Sequence, residues 1–216
     1  VTLAPERLDP GTIRQLVEAG VIVSAGHTQA TAEEIFDALD EGLTGFTDLF
    51  NAMSPLQSRA PGTVGAALYD DRGWCGIIVD GRHVDPIVLK LALRMAPLSG
   101  FMLVTDAMPS VGGTKSFTLQ GRQIKVENGV CVDDKGTLAG SDLDMASAVR
   151  NAVRMLGLSL ADAVAMASRN PAEFLGLGDE LGRIAPGYRA SLVAADDDLV
   201  LAGGQPGVLH PDVVLV

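Results

Sequence analysis

The sequence contains few of the features that mark disulfide-rich or membrane proteins. Its only two cysteines, Cys75 and Cys131, lie far apart and form no C-x-x-C motif, which favours buried free thiols over a disulfide or a metal-binding pair. No apolar run approaches the roughly 20 residues that a membrane span needs. Val1 opens directly into an apolar strand pattern without a basic leader, so we expect a cytoplasmic protein.

Basic residues are also in the minority. The 16 Lys and Arg residues face 27 Asp and Glu residues, for a formal net charge of −11 at pH 7. A surface of this sign repels nucleic acids and anionic membranes, so we expect neither as a partner, and any anionic ligand has to meet a local basic pocket. With 216 residues, of which 47% are hydrophobic, the chain can bury a sizeable core and we expect a globular protein.

Apolar strand patterns alternate with helical patterns through the first half of the chain. Five strands are predicted, at Val1–Leu3, Val21–Ala25, Gly45–Leu49, Trp74–Val79 and Phe101–Thr105. Helices are predicted at about residues 10–20, 31–42 and 86–95, the second beginning with a capping box formed by Thr31 and Glu34. This alternation predicts a parallel sheet, either open and doubly wound or part of a (β/α)8 barrel, which five units cannot close.

The pattern changes after Thr105. Residues 117–126 are typical of a hairpin around Gln120-Gly121, and a glycine-rich stretch follows at 136–141. Two helices are predicted at about 142–156 and 159–168, and the last 35 residues read as short strands and turns. The segment Gly182–Gly187 is a candidate passage into a small β-rich appendage.

Candidate catalytic residues follow directly after the predicted strands. In a parallel barrel the carboxyl ends of the strands converge on one face, where catalytic residues collect. The polar residues in this position are His27, Asp48, Asp80 with His83, and Asp106. We therefore expect His27, Asp48 and Asp106 to meet in one cleft.

Each candidate has a plainer interpretation. His27 could be a strand-end histidine whose ring is satisfied by the backbone, and Asp106 could cap a helix. His83 could belong to a solvated turn. Arg59 could be a surface charge, because no phosphate-cradling glycine pattern surrounds it. His210 has no polar constellation around it and is expected to be structural.

The order of the motifs along the chain is more specific than any one of them. The motifs are Thr2–Glu6, Ser24–Thr28, Leu49–Met53, Arg59–Gly62, Asp80–Asp85, Val104–Ala107, Leu138–Ser141, Ala167–Ala172 and Leu181–Ile184. In this combination the sequence resembles the N-acetylglucosamine-6-phosphate deacetylases of the amidohydrolase superfamily, from Val1 to about Val193.

The resemblance implies a fold and an assembly. The family has a (β/α)8 TIM barrel and a small β-sandwich domain built from both chain ends, and it is usually homodimeric. Residues 1–185 would supply about the last five strand–helix units of the barrel, and residues 186–216 the C-terminal segment of the small β domain. The upstream half-barrel, with a glutamate metal ligand and a histidine that polarises the amide carbonyl, is not in this sequence.

The resemblance also implies the residues that hold a metal ion and move the proton. His27 would be a metal ligand, and Asp48 stands where the family has a second histidine ligand. Asp106 would be the general base and acid. The cofactor would be a divalent metal ion, zinc first, with iron, manganese or cobalt as alternatives. An aspartate at position 48 shifts the ligand set towards oxygen and favours harder ions.

A further set of residues would bind the substrate. Asn51, the Ala52 amide, Arg59 and His83 would contact the sugar phosphate, His83 from across the dimer interface. The sugar pocket would be lined by Asp80, Gly81, Arg82, Leu138, Ala139 and Gly140.

The implied reaction is hydrolysis of the acetamide of N-acetylglucosamine 6-phosphate to glucosamine 6-phosphate and acetate. Two alternatives remain open: another amidohydrolase-type deacetylase, or an inactive sugar-phosphate-binding homologue, which Asp48 and the missing half would both allow. Nucleotide binding by a doubly wound fold is less well supported, because no glycine-rich phosphate turn follows any strand.

Overall fold

The computed structural model describes residues 1–196 and 214–215. The chain forms two compact units, the first comprising Val1–Val104 and the second beginning at Thr105. This division differs from the boundary expected after residue 185. Because most of residues 186–216 lie outside the described part, that boundary stays a prediction. No helix in the described part is long and apolar enough to cross a membrane.

The first unit is built on a five-stranded parallel sheet. Its strands are β1 (Thr2–Leu3), β2 (Ser24–Ala25), β3 (Gly45–Phe46), β4 (Trp74–Ile78) and β5 (Phe101–Val104). They lie in the order β1-β2-β3-β4-β5, and every neighbouring pair is parallel. A doubly wound sheet reverses its strand order at a switch point, and this sheet does not. The predicted parallel sheet is confirmed, and the doubly wound alternative is wrong.

A helix connects each strand of this sheet to the next. The helices are α1 (Thr12–Glu18), α2 (Ala32–Asp40), α3 (Gly62–Tyr69) and α4 (Pro86–Met95), with short 3-10 turns at Pro5–Arg7 and Leu98–Gly100. Ile35 of α2 and Leu89 of α4 are fully buried, as are Phe46 and Ile77 of the sheet. Burial of both strand and helix residues is what a helix-covered parallel sheet requires.

Two local features differ from the expectations. Strands β2 and β3 are only two residues long. β2 begins three residues later than predicted, and β3 ends three residues earlier, because the chain turns out of the sheet before the apolar run of β3 ends. Helix α3 was not predicted, and six of its eight residues are buried, among them both Val64 and Thr63. A helix buried on most sides lacks the alternation of polar and apolar faces by which helices are recognised in a sequence.

The second unit contains a four-stranded antiparallel meander. Its strands are β6 (Ser116–Leu119), β7 (Arg122–Glu127), β8 (Val130–Val132) and β9 (Leu138–Ser141), in the order β6-β7-β8-β9. The predicted hairpin around Gln120-Gly121 is confirmed. Strands β8 and β9 were not predicted, although Asn128-Gly129, with φ of 52° and 85°, is a favoured two-residue hairpin turn.

Helices and one short strand pair complete the second unit. The helices are α5 (Met145–Asn151), a π-helical segment (Ala152–Leu156), α6 (Leu160–Ala167) and α7 (Arg169–Phe174). Both predicted helices are present, beginning after the N-caps Asp144 and Ser159. β10 (Ala194–Ala195) pairs antiparallel with β11 (Val214–Leu215). His210, expected to be structural, lies outside the described residues.

The capping box at the start of α2 generates a stability prediction. The Thr31 hydroxyl accepts from the Glu34 N–H at 3.2 Å, and the Thr31 N–H donates to the Glu34 carboxylate at 2.7 Å. We expect Thr31→Ala to lower the free energy of unfolding by about 1 kcal/mol, because the helix N-terminus loses an acceptor. Urea denaturation measures this, with Thr31→Ser as the control that keeps the cap. Equal stability of the Ala and Ser variants would contradict it.

Candidate functional site

The candidate residues of the first unit share one position relative to the sheet. His27, Asp48 and Asp80 each lie two residues beyond the last residue of β2, β3 and β4, respectively. In the second unit, Asp106 follows the last residue of β5 by the same two positions. Because parallel strands end at the same edge of a sheet, His27, Asp48 and Asp80 all leave the first unit's sheet at its carboxyl edge.

Three of these residues also share a backbone conformation. The φ angles of His27, Asp48 and Asp106 are 51°, 54° and 49°, in the left-handed region that most residues avoid. Aspartate and histidine are among the few residues other than glycine that are enriched there. A left-handed residue two positions past a strand ends the pairing and turns the chain, which explains why β3 ends at Phe46 although its apolar run continues.

His27 lies exposed at the end of β2. Its ring makes no hydrogen bond or ion pair with any residue of 1–196 or 214–215, so the interpretation of a histidine satisfied by the backbone is wrong. The preceding Gly26 lies where a Cβ would come 2.7 Å from Thr2 Cγ2 and 3.0 Å from Thr47 Cβ. Only glycine fits this close approach of three neighbouring strand ends.

Hydrogen bonds hold the loop that carries His27 on both sides. On one side Thr28 Oγ1 and the Gln29 N–H donate to the Glu6 carboxylate at 2.5 and 2.9 Å. On the other, the Ser54 N–H donates to the Thr28 carbonyl at 3.1 Å. Burial raises the pKa of Glu6, but the hydrogen bonds from Thr28 and Gln29 outweigh it and keep that pKa below its usual value.

Sequence reasoning did not identify Glu6 and Ser54. Ser54 Oγ also donates to the Ala30 carbonyl at 2.5 Å, so it ties the loop after β2 to the loop after β3. The available signal was the position of Glu6 at the end of the motif Thr2–Glu6, in the 3-10 turn Pro5–Arg7 that follows β1.

The turn after β3 has an unusual backbone. Asp48, Phe50 and Ala52 all have positive φ, at 54°, 80° and 49°, so left-handed residues alternate along five positions. The N–H groups of Leu49 and Asn51 in this turn donate to the Gly76 and Asp48 carbonyls, both at 2.8 Å. The Ala52 N–H donates to no residue in the described part of the chain, and Ala52 is exposed.

Asn51 stabilises this turn. Its backbone N–H donates to the Asp48 carbonyl at 2.8 Å, and its side-chain amide donates weakly to the carbonyls of Asp48 and Leu49 at 3.3 and 3.4 Å. The predicted contact of Asn51 with substrate would therefore require its amide to leave these carbonyls or share its hydrogens with them.

Two arginines near these loops carry uncompensated charge. Arg59, in the turn closed by the hydrogen bond from Gln57 N–H to the Ala60 carbonyl, and Arg82 are both exposed. Neither forms an ion pair with a residue that the structure describes. In a chain with a net charge of −11, they supply local positive charge of the kind that an anionic ligand needs.

His83 is paired with Asp80. The His83 Nδ1 lies 2.6 Å from the Asp80 carboxylate, and both side chains are only 5% exposed, so the interpretation of a solvated turn is wrong. The other Asp80 oxygen accepts from the N–H groups of Arg82 and His83, at 2.8 and 2.9 Å. Burial raises the pKa of Asp80, but these hydrogen bonds outweigh it and hold that pKa below its usual value.

In the second unit, Asp106 lies beside β9. It is exposed, and the residues between Asp106 and β6 form turns rather than a helix, so the interpretation of a helix cap is wrong. The Ser141 N–H donates to the Asp106 carbonyl at 2.8 Å. The structure thereby brings Leu138–Gly140, expected to line the sugar pocket, next to the segment that carries the predicted base. The predicted convergence of Asp106 with His27 and Asp48 stays a prediction.

The donors of the described residues match a divalent ion in type but not in number. His27 offers an imidazole nitrogen and Asp48 a carboxylate, both common ligands of such ions. A catalytic zinc site usually has three protein ligands. Residues 1–196 and 214–215 contain no group of three or more His, Cys, Asp or Glu side chains arranged to hold a metal. The described chain therefore offers part of a metal site at most.

The sequence matches the model of the amidohydrolase family over residues 9–214. This chain belongs to the amidohydrolase family. An N-acetylgalactosamine-6-phosphate deacetylase of Shewanella sp. (strain ANA-3) is 47% identical, over 92% of this chain and 50% of that protein. The human N-acetylglucosamine-6-phosphate deacetylase is 40% identical, over the same shares of the two chains. The resemblance read from the motifs is confirmed.

A solved structure agrees with this family membership. The N-acetylglucosamine-6-phosphate deacetylase of Pasteurella multocida matches with a TM-score of 0.88 and 38% identity, over 93% of this chain and 53% of that chain. This amidohydrolase chain thus spans about half the length of these relatives.

The Asp80–His83 pair generates a prediction about pH. Because the pKa of Asp80 is lowered by folding, its carboxylate stabilises the fold above the unfolded value of about 3.9, and this stabilisation is lost as the pH falls through the lower folded value. We expect Asp80→Asn to destabilise the chain by about 1–3 kcal/mol at neutral pH. The difference from wild type should shrink below about pH 4.

Urea denaturation of both forms between pH 3 and 7 measures this difference. The control is Asp71→Asn, which removes a carboxylate from an exposed turn and should change stability little. A difference that stays constant down to pH 3 would show that the Asp80 charge does not stabilise the fold.

Proposed function

We propose that this chain is the C-terminal part of a deacetylase that hydrolyses the acetamide of an N-acetylhexosamine 6-phosphate. The observation that carries the proposal is the common position and left-handed conformation of His27, Asp48 and Asp106 after their strands. Strained left-handed residues persist only where the surrounding structure defines them, and they cluster at active sites and ligand-binding loops. The deacetylase names of the relatives support the same reaction.

N-acetylglucosamine 6-phosphate is the substrate that the motifs suggest. N-acetylgalactosamine 6-phosphate is a second candidate, because the relatives at 47% and 41% identity are named for it, whereas those named for the glucosamine compound are 36–40% identical. The two sugars differ only in the orientation of one hydroxyl group. Both keep the acetamide and the phosphate on which the proposed chemistry depends.

The phosphate group would be held by the charges and N–H groups of the loops after β3 and β4. The Ala52 N–H and the Arg59 and Arg82 guanidinium groups supply donors to an anion without breaking an ion pair within the described chain. Charge-assisted hydrogen bonds of this type are about twice as strong as neutral ones and hold the sugar in register. Contact of His83 with the phosphate, across a homodimer interface, is part of the same proposal.

Asp106 would move the proton in the reaction. Its carboxylate takes a proton from the attacking water and then gives it to the departing amine, so that acetate and the free amino sugar are released. Its exposed position leaves the carboxylate accessible to water and substrate. Leu138, Ala139 and Gly140 would line the sugar pocket beside it.

His27 and Asp48 would supply two ligands of a divalent ion, with the remaining ligands from the upstream half. When bound, such an ion supplies positive charge that makes water a stronger nucleophile near neutral pH. Zinc is the first candidate, with iron, manganese and cobalt as alternatives. The sequential sheet of five parallel strands would be part of a (β/α)8 barrel, and the complete protein a cytoplasmic homodimer.

Replacement of Asp106 tests the reaction. The assay uses the complete enzyme, meaning this chain joined to the upstream half that its relatives possess, with acetate release from both sugar phosphates as the readout. We expect Asp106→Asn to lower kcat by at least about 100-fold with little change in KM, because asparagine keeps the volume but cannot carry the proton.

The control is Asp134→Asn, which removes an exposed carboxylate from the turn between β8 and β9 and should keep wild-type turnover. Near wild-type turnover of Asp106→Asn would remove Asp106 from its role. Tight binding of the sugar phosphate without acetate release by the wild-type enzyme would favour a binding protein instead.

Replacement of Asp48 tests the metal site. We expect Asp48→His to raise zinc affinity by about tenfold or more and to raise kcat, because imidazole suits zinc and adds no negative charge. Histidine tolerates the φ of 54° at this position. Titration of wild-type and variant complete enzyme with zinc and with manganese measures affinity independently of turnover.

A loss of activity together with weaker manganese binding would mean instead that the protein has adapted to a carboxylate at position 48. Unchanged affinity for both ions and unchanged turnover would show that residue 48 does not bind a metal.

A further inference from the structure

Ser141 is a fully buried serine at the end of β9. Its hydroxyl donates to the Thr105 carbonyl, the peptide that immediately precedes Asp106. The same hydroxyl accepts from the Leu143 N–H at 3.0 Å. Both hydrogen-bonding directions of the hydroxyl are therefore used, and one of them holds the segment that carries Asp106.

The backbone of Ser141 holds the same segment on the other side of Asp106. Its N–H donates to the Asp106 carbonyl at 2.8 Å, and its carbonyl accepts from the Met108 N–H at 3.0 Å. These two bonds form an isolated parallel bridge between Ser141 and Ala107. Ser141 thus fixes the peptide groups before, at and after Asp106, in a segment that has no regular secondary structure.

The neighbouring glycine makes this close approach possible. Gly140 has a φ of 97°, and a Cβ on it would lie 2.6 Å from Met108 Cγ and 3.0 Å from the Asp106 carbonyl oxygen. A larger residue at position 140 would push β9 away from Asp106. Asp106 itself has a left-handed φ of 49°, which persists only if surrounding contacts define it.

We infer that Ser141 is a positioning residue for Asp106: its hydroxyl and backbone hold the peptides around Asp106 so that the carboxylate points consistently at the reacting atoms. Ser141 is fully buried, so it would act through Asp106 and not on the substrate itself. The inference rests on the proposed function, in which Asp106 moves the proton. A misplacement of about 1 Å costs up to about 100-fold in rate, so loss of this hold should lower kcat more than it changes KM.

The chain offers a matched control for a purely structural effect. Ser110 is also fully buried and lies only four positions from Asp106. Its hydroxyl contacts Cys131 Sγ at 3.4 Å, and that thiol donates in turn to the Ser141 carbonyl at 3.5 Å. Ser110→Ala therefore removes a buried hydroxyl from the same surroundings but leaves in place every hydrogen bond between Ser141 and residues 105–108.

The first experiment measures turnover of the complete enzyme with both sugar phosphates. We expect Ser141→Ala to lower kcat by about tenfold or more with KM within about twofold, and Ser110→Ala to keep kcat within about twofold. Ser141→Cys, which keeps a weak donor of similar size, should lie between wild type and Ser141→Ala, and it carries the comparison if the alanine variant does not fold.

The second experiment measures amide hydrogen exchange in the 216-residue chain and needs no activity. Ser141→Ala should accelerate exchange at the Leu143 and Met108 amides. The Leu143 amide loses its acceptor, the Ser141 hydroxyl. The Met108 amide keeps its acceptor, the Ser141 carbonyl, but the hydroxyl no longer anchors residue 141 to Thr105. Ser110→Ala should leave both rates near wild type.

The outcomes separate the two proposals. The positioning role of Ser141 is overturned, and the proposed function stands, if Asp106→Asn is strongly impaired while Ser141→Ala and Ser110→Ala have the same kcat. The same holds if Ser141→Ala does not change the exchange rates. If the wild-type enzyme releases no acetate, or Asp106→Asn keeps full turnover, the proposed function fails, and the role of Ser141 in the reaction fails with it.

Discussion

The parallel pairing of neighbouring strands is the constraint on which the candidate site depends. Because β2, β3 and β4 run in the same direction, the loops that carry His27, Asp48 and Asp80 all leave the same edge of the sheet. The left-handed residue two positions after β2 and after β3 turns the chain at the same step in both loops. Polar side chains widely separated in sequence are thus presented at one edge, the position in which catalytic residues of parallel barrels collect.

Side-chain hydrogen bonds fix the orientation of the loops that carry the candidate residues. The loops contain little regular structure, so their orientation depends on single side chains that join one loop to the next. Glu6 and Ser54 hold the loop of His27 from opposite sides, and Ser141 holds the segment of Asp106. Such hydrogen bonds hold the backbone next to a candidate functional group without contacting its side chain, and this preorganises a site.

Two exposed arginines stand out in an acidic chain. The chain has a net charge of −11, yet Arg59 and Arg82 form no ion pair in the described part and are exposed. Under the proposed function, they and the Ala52 N–H would be donors to a phosphate, whereas Asp48 would bring a negative charge to the metal site where related deacetylases are expected to have an imidazole. The preference for one metal over another would then depend on residue 48, and phosphate binding on the arginines.

The sequence by itself determined the five parallel strands, the capping box at Thr31 and the family, because apolar runs, caps and ordered motifs are local signals. It did not predict helix α3, which is buried on most sides, or the short strands β8 and β9, which exist only through their pairing. Only the tertiary structure decided that His83 pairs with Asp80 and that Glu6 and Ser141 hold distant loops. Bonds such as those from Thr28 to Glu6 and from Ser141 to Thr105 join residues 22 and 36 positions apart. No local pattern records contacts of that range, because they form only when the folded chain brings both partners together.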